Sequence, residues 1–361
     1  MEPVSFASGA TYFNTPAVAS EAAIQAIQQN QTFYGLAAGT PELRNAIADR
    51  YQQYNAVTIS PDNILITPGT KQALFNVLHT FLQPGDEVVI PAPNWFGLRK
   101  VLEQVGAKLV VLPTNLKDNY AISPDLIRHY ISPRTRLFLY SNPNNPTGRI
   151  YSKSEITSWL EVLAEFKDIY VLADEIYDLV IYEHKVPSLL EFPDKNQKHL
   201  IVNGFSKAFA MSGWRIGYLA APAPLLAQCI HFQQATFSGV SEFVQAAAWA
   251  AIQNASTILP EFQTILQQNK TKMSEVFTRN QLPFTFPQAA YYFFPDLSAF
   301  LHSDINTTEK LAAFLKEKHA LEIMPGEYFG APGFARFSFA VAPDKLEIGL
   351  TRLEQVFRAM R

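Results

Sequence analysis

Residues 203–218 read Asn-Gly-Phe-Ser-Lys-Ala-Phe-Ala-Met-Ser-Gly-Trp-Arg-Ile-Gly-Tyr, with Lys207 near the centre. The apolar run Leu200-Ile201-Val202 precedes it, and Arg215 follows eight residues later. A lysine at the mouth of a buried strand is a costly placement unless its amine is used. A desolvated amine gives up its proton readily and becomes a nucleophile for an aldehyde. A nearby arginine can grip a phosphate in its planar fork. The pair therefore points to an aldehyde that also carries a phosphate. A surface lysine in a serine-bearing turn accounts for these residues equally well when they are taken alone.

The elements that must position Lys207 follow from periodicity. Short apolar runs alternate with helical patterns. Ile64-Leu65-Ile66-Thr67 leads into a helix from Gln72 to Phe81, and Glu87-Val88-Val89-Ile90 into one from Phe96 to Val105. Strand-like runs 109–112, 137–140, 170–173 and 200–203 follow, with a helix from Ser154 to Phe166 between two of them. Continuously apolar strands alternating with helices predict an α/β fold, a mainly parallel sheet covered on both faces. After about Pro260 the pattern changes. A helix from Glu261 to Arg279, strand-like 291–294, a helix near 310–318, strand-like 335–339 and a last helix from Asp344 predict a smaller α+β domain. The expected division is residues 19–262 for the large domain, with 1–18 and 263–361 for the small one.

Ligands bind open α/β sheets at the carboxyl ends of the strands. Those ends carry an unusual set of side chains here. Thr67-Pro68-Gly69-Thr70-Lys71 opens a helix, and free backbone N–H groups after a glycine make an anion site. Trp95, just past the second strand, is either core or a plate for a flat ring. Ser141-Asn142-Pro143-Asn144-Asn145-Pro146-Thr147-Gly148 is a plain turn or a rigid functional loop. Asp174 ends an apolar run, so it is either a helix cap or a carboxylate requiring a cationic or donor partner. Tyr177 and Ser206-Lys207 complete the row. Pyridoxal phosphate can use every one of these groups.

Composition narrows the class. The 361 residues are 48% hydrophobic and 17% charged, so the chain is globular. Lys+Arg 29 against Asp+Glu 32 gives a net charge of -3, which predicts no nucleic-acid or anionic-membrane partner. Cys229 is the single cysteine, and no Cys/His spacing suits a metal. The start Met-Glu-Pro-Val-Ser-Phe has no basic region or long apolar run, so a cytoplasmic location is expected.

On the motifs Ser141–Gly148, Asp174-Glu175-Ile176-Tyr177 and 206–218, in this order and spacing, the chain resembles the class I/II aminotransferases of the aspartate aminotransferase type, pyridoxal-phosphate fold type I. The resemblance covers nearly the whole chain. It implies that Lys207 holds the cofactor aldehyde and then shuttles the substrate's α-proton. It implies that Asp174 pairs with the ring nitrogen, that Asn145 and Tyr177 bond the ring oxygen, and that Trp95 lies on the ring face. Gly69, Thr70, Lys71, Ser206 and Arg215 would hold the phosphate. Phe33-Tyr34-Gly35 resembles a segment that crosses a dimer interface, which implies a homodimer with Tyr34 reaching the partner's phosphate. Arg336 matches the arginine for the substrate α-carboxylate, and Gly9 a glycine facing the same group. The loop 325–330 resembles one that closes over the site.

Three departures bear on the substrate. The segment before the strand around 4–6 is shorter than in the family. Gly9-Ala10-Thr11-Tyr12-Phe13 stands where Gly-Glu-Pro-Asp-Phe is common, and Ala289-Ala290-Tyr291-Tyr292 where Gly-Ala-Phe-Tyr is usual. A cation at a helix N-terminus is unfavourable, so Lys71 either answers to a substrate's distal carboxylate or extends into water. Residues 71–76, Lys-Gln-Ala-Leu-Phe-Asn, are similar to a segment of some bacterial aspartate aminotransferases. Aspartate or glutamate is therefore the expected donor and 2-oxoglutarate the acceptor, with aromatic donors also admitted. A pyridoxal-phosphate β-lyase acting on C–S bonds and a non-catalytic ligand sensor are the competing expectations.

Overall fold

The computed structural model describes residues 2–360. Its strands are β1 (Val4–Ser5), β2 (Ile64–Thr67), β3 (Glu87–Ala92), β4 (Lys108–Pro113), β5 (Thr135–Ser141), β6 (Tyr170–Asp174), β7 (His199–Gly204), β8 (Gly217–Ala220), β9 (Tyr292–Phe293), β10 (Leu321–Glu322), β11 (Met324–Pro325) and β12 (Ala335–Ser338). Seven of them form one sheet in the order β2-β8-β7-β6-β5-β3-β4. Only β8 runs antiparallel to its neighbours within it.

The sheet is apolar on both faces because alternate residues of each strand enter different cores. Leu137 and Leu139 of β5 join Leu65, Leu172, Leu200 and Leu219 on one side. Phe138 and Tyr140 join Val171, Ile201 and Trp159 on the other. The helices Thr70–Phe81 and Ala223–Thr236 contribute to the first core, and Lys153–Leu163 to the second. The last of these starts on a capping box, with Ser152 and Glu155 satisfying each other's backbone N–H groups.

Both ends of the chain build the remaining sheets. β1 pairs with β10, and β11-β12-β9 form a three-stranded antiparallel sheet. Phe6, Phe277, Phe293 and Phe337 are buried together there.

Three expectations need correction. The helix expected from Phe96 begins at Arg99. A side chain on Gly97 would start 1.9 Å from the Trp95 ring, so the indole folds back over this turn and delays the helix. The helix expected from Glu261 begins at Ala255 and runs through Pro260. Pro260 lies near its start, where a missing N–H removes only one early bond. The helix expected over Ser154–Phe166 ends at Leu163. Strand β8, in Arg-Ile-Gly-Tyr-Leu-Ala, is an element the apolar pattern left unassigned.

Candidate active site

Of the six parallel strands, β2, β3, β5, β6 and β7 bring their carboxyl ends to the edge of the sheet where a cavity of about 300 Å³ lies. Thr70, Lys71, Trp95, Ser141, Asn145, Asp174, Tyr177, Lys207, Gly9 and Arg336 line it, so most of the residues singled out in the sequence converge. The first eight come from the large sheet's edge. Gly9 comes from the segment after β1, and Arg336 from β12.

Lys207 is half-buried, and its Nζ donates to the Gly9 carbonyl at 2.6 Å. On the neighbouring strand Asp174 is half-buried, with Oδ1 accepting from the Ile176 N–H at 3.2 Å. No helix follows Asp174, so its capping role is limited to that one turn bond. Burial raises the Asp174 pKa to about 6, while the Ile176 N–H and the Lys207 cation pull it down. A carboxylate held in this way lacks a strong partner, and a cationic N–H donor in the cavity would supply one.

The loop 141–148 divides its three amides. Asn142 and Asn144 are structural. Asn142 donates to Pro187 O and accepts from the Tyr151 N–H, and Asn144 bonds Pro93 O and Thr147. Asn145 faces the cavity, and its Oδ1 accepts from Arg336 Nη1 at 3.1 Å. Arg336 is 4% exposed and lies between the rings of Tyr292 and Phe329, at 4.3 and 5.1 Å. Its Nη2 donates to Ala7 O at 2.7 Å, while its buried Nε has no partner.

Gly69 has φ +80 and opens the helix Thr70–Phe81. Any side chain there would begin 2.6 Å from Arg215 Nη2, so the missing Cβ lets the guanidinium close over the helix's free N–H groups. Ser206 is buried on the same edge. Together they form an anion cradle at the end of the cavity. Lys71 stands exposed at this helix start, its Nζ 5.4 Å from the Trp95 ring centre. No acidic side chain pairs with it among the described residues. Tyr34 is 95% exposed and is not part of this chain's own cavity.

Tyr292 is a cavity residue that the sequence reading left out. Its hydroxyl meets that of Tyr177 at 2.6 Å. Burial and Tyr292 together hold Tyr177 well above the ordinary phenol pKa, against the pull of Arg336, so Tyr177 stays a protonated donor. The strand pattern at 291–294 was visible, but its facing side depends on the β9–β12 register.

A second buried network lies behind Asp174. Arg50 pairs with Asp178 and donates to Tyr218 at 2.9 Å. Glu175 accepts from Ser188 and from the Leu189 N–H. Burial, and then Asp178, raise Glu175 to about 8. Among the described residues no group of three His, Cys, Asp or Glu side chains could hold a metal, and no helix is long and apolar enough to cross a membrane.

The profile of the family "Aminotransferase class I and II" matches residues 2–353. An aspartate aminotransferase of Pinus pinaster is 33% identical over 99% of this chain and 75% of its own length. The structure of the Thermus thermophilus aspartate aminotransferase with maleate superposes with a TM-score of 0.92 at 30% identity, covering 98% of this chain and 92% of that one. The aromatic aminotransferase of Pyrococcus horikoshii gives 0.93 at 29% identity, covering 99% and 96%.

The Glu175 carboxyl generates a pH prediction. A folded-state pKa raised from 4.5 to about 8 stabilises the fold below pH 4.5, and that contribution is lost as pH rises toward 8. Glu175→Gln keeps the neutral form at every pH. The melting temperature of the variant relative to the native chain should therefore rise from pH 5 to pH 8.5. A difference that stays flat with pH would contradict the raised pKa.

Proposed function

Because this chain belongs to the class I and II aminotransferases, we propose that the cavity binds pyridoxal 5'-phosphate and passes the amino group of aspartate or glutamate to a 2-oxo acid such as 2-oxoglutarate. The observation that carries this is the convergence of Lys207, Asp174, Asn145, Tyr177 and Arg336 on one cavity beside an anion cradle. The residues present fit the cofactor. The cradle suits its phosphate, Asp174 a ring N–H, Asn145 and Tyr177 a ring oxygen, and the Trp95 indole a flat face.

When bound, the cofactor supplies an aldehyde for the amino group and a ring that draws electrons from the α-carbon. The protein does the rest. Lys207 would hold the aldehyde, and its amine, when free, would move the α-proton. Asp174, in its low-dielectric site, keeps the ring nitrogen protonated. A cation beside it should draw its own pKa back toward the carboxylate range. Arg336 grips the substrate α-carboxylate, and its two ring neighbours restrict the fork to one plane. The Gly9 backbone faces the same group.

Lys71 is the reading for donor choice. It is a cation at a helix N-terminus with no acidic partner among the described residues, on the wall of the cavity beside Trp95. Leu74, Ile176 and Met324 line the same cavity and leave apolar contact for an aromatic donor. Relatives named for aspartate and for aromatic amino acids support both classes.

The homodimer is part of the proposal. Phe33, Tyr34, Leu36 and Phe237 are exposed large apolar side chains, and a second copy would cover them and receive Tyr34 near its phosphate. The domain division at 19–262 is supported by the large sheet lying within 64–220 and by both chain ends sharing the small sheets. Its outermost residues, Met1 and Arg361, lie outside the described residues. The buried lone Cys229 supports a cytoplasmic setting.

The test is a panel of half-reactions with single amino acids, read by the cofactor's absorbance. Arg336→Ala should raise the KM of every donor roughly ten-fold or more, since a bond to a charged group is worth about 1.5–3 kcal/mol. Lys71→Ala should weaken aspartate and glutamate while sparing phenylalanine. Equal losses for aspartate and phenylalanine in that variant would remove Lys71 from donor choice. Ammonia, pyruvate and sulfide released from cysteine without a 2-oxo acid would replace the transferase reading with a lyase.

Sedimentation of the purified protein should give a dimer at micromolar concentration. A fully active monomer would overturn the shared-site arrangement.

A further inference from the structure

The segment that carries Gly9 is held in an unusual way. On its early side Phe6 is fixed by backbone bonds to Glu322 and Ser338, each 2.7 Å. On its late side the Tyr12 N–H bonds Ala340 O at 3.2 Å, and Phe13 stacks on Phe262 at 4.2 Å. Among the described residues, the hydrogen bonds that tie residues 7–11 to the rest of the chain come from site side chains alone. Arg336 takes Ala7 O at 2.7 Å. Gly9 O accepts from Lys207 Nζ at 2.6 Å, from the Tyr291 hydroxyl at 2.8 Å and from the Tyr292 hydroxyl at 3.4 Å.

A carbonyl oxygen has two lone pairs, so three donors compete for it. Two of the strap's ties are also the groups the reaction uses. Lys207 would leave Gly9 to engage the cofactor aldehyde, and a substrate carboxylate would draw Arg336 from Ala7. Tyr292 is the longest contact and is already engaged with Tyr177 at 2.6 Å. Tyr291 is the donor that the reaction does not use, and beyond Gly9 its hydroxyl meets that of Tyr292. It is fully buried, and its ring packs edge-on against Tyr177 with centroids 5.5 Å apart.

We propose that Tyr291 is a positioning residue, whose hydroxyl keeps Gly9 and its strap in register once Lys207 and Arg336 have turned to cofactor and substrate. This rests on the function proposed above. A side chain built on Gly9 would lie 3.6 Å from Tyr292 Oη, 3.9 Å from Arg336 Nη2 and 3.9 Å from Lys207 Nζ. Gly9 thus faces all three groups, and a shift of its backbone changes the space left for the substrate's carboxylate end. Loss of the tether makes substrate binding meet an extra ordering cost shared by the ground and transition states, which appears in KM rather than kcat.

The test has two parts. In the cofactor-free protein, chymotrypsin cleavage after Tyr12 or Phe13 reports opening of the strap under native conditions. Tyr291→Phe alone should change that rate less than about two-fold, because Lys207 and Tyr292 still fill the two lone pairs. Added to Lys207→Ala, the same change should speed cleavage roughly five-fold, the usual size for one buried hydrogen bond. An equal increase in both backgrounds would make Tyr291 merely structural and overturn the proposal, as would no increase in either. These arms use no cofactor, so their outcome is separate from that of the function proposed. In the holoenzyme Tyr291→Phe should raise the KM for amino-acid donors roughly five-fold with little change in kcat. The control is Tyr182→Phe, which removes another hydroxyl bonded to backbone, at Ala290 O, 2.6 Å away. It should leave KM unmoved. A matching KM rise in the control, or a loss confined to kcat in Tyr291→Phe, would contradict the assignment.

Discussion

The site depends on a carboxylate and an amine at the ends of two neighbouring buried strands. Asp174 closes β6, and Lys207 follows β7, with Asp174 registered against Val202. Removing either charge from water without a partner costs several kcal/mol. The sheet tolerates the arrangement because its strands are apolar on both faces along their middles, and the site's polar groups gather at their carboxyl ends. There Lys207 moderates the charge of Asp174, and Arg50 offsets part of the charge on Asp178 and Glu175 behind it. The result is a preorganised polar pocket inside an apolar frame, which is what electron withdrawal at a ring nitrogen requires.

The site also joins parts distant in sequence. The large sheet supplies the amine, the carboxylate, the amide and the anion cradle. The two chain ends supply the other wall, through Gly9 after β1 and Arg336 on β12. Arg336 bonds both Asn145 and Ala7, so it links the rigid loop 141–148 to the N-terminal strap. A change in one wall is therefore felt by the other through a single guanidinium.

Much of this was legible in the sequence, for a physical reason. Each group on the large sheet's edge sits within a few residues of an apolar strand, so strand and side chain are read together. Asp174, Lys207, Trp95 and Gly69-Thr70-Lys71 are of this kind. Features set by long-range register were not legible. The strand β8 pairs on one side with the preceding strand β7, but on the other with β2, far away in sequence. Which of Asn142, Asn144 and Asn145 faces the cavity depends on the carbonyls of Pro93 and Pro187. The roles of Tyr291 and Tyr292 depend on a contact with Gly9, more than 280 residues earlier. The late start of the helix at Arg99 follows from the Trp95 ring lying over Gly97, a packing detail that a propensity pattern cannot carry.

The central claim is that the Lys207 amine is the group that holds the cofactor. The direct measurement is borohydride reduction of the protein loaded with pyridoxal 5'-phosphate, followed by peptide mapping. The account predicts one stable adduct, on Lys207, and none in Lys207→Ala. An adduct on Lys71 or any other lysine, or no adduct at all, would contradict it.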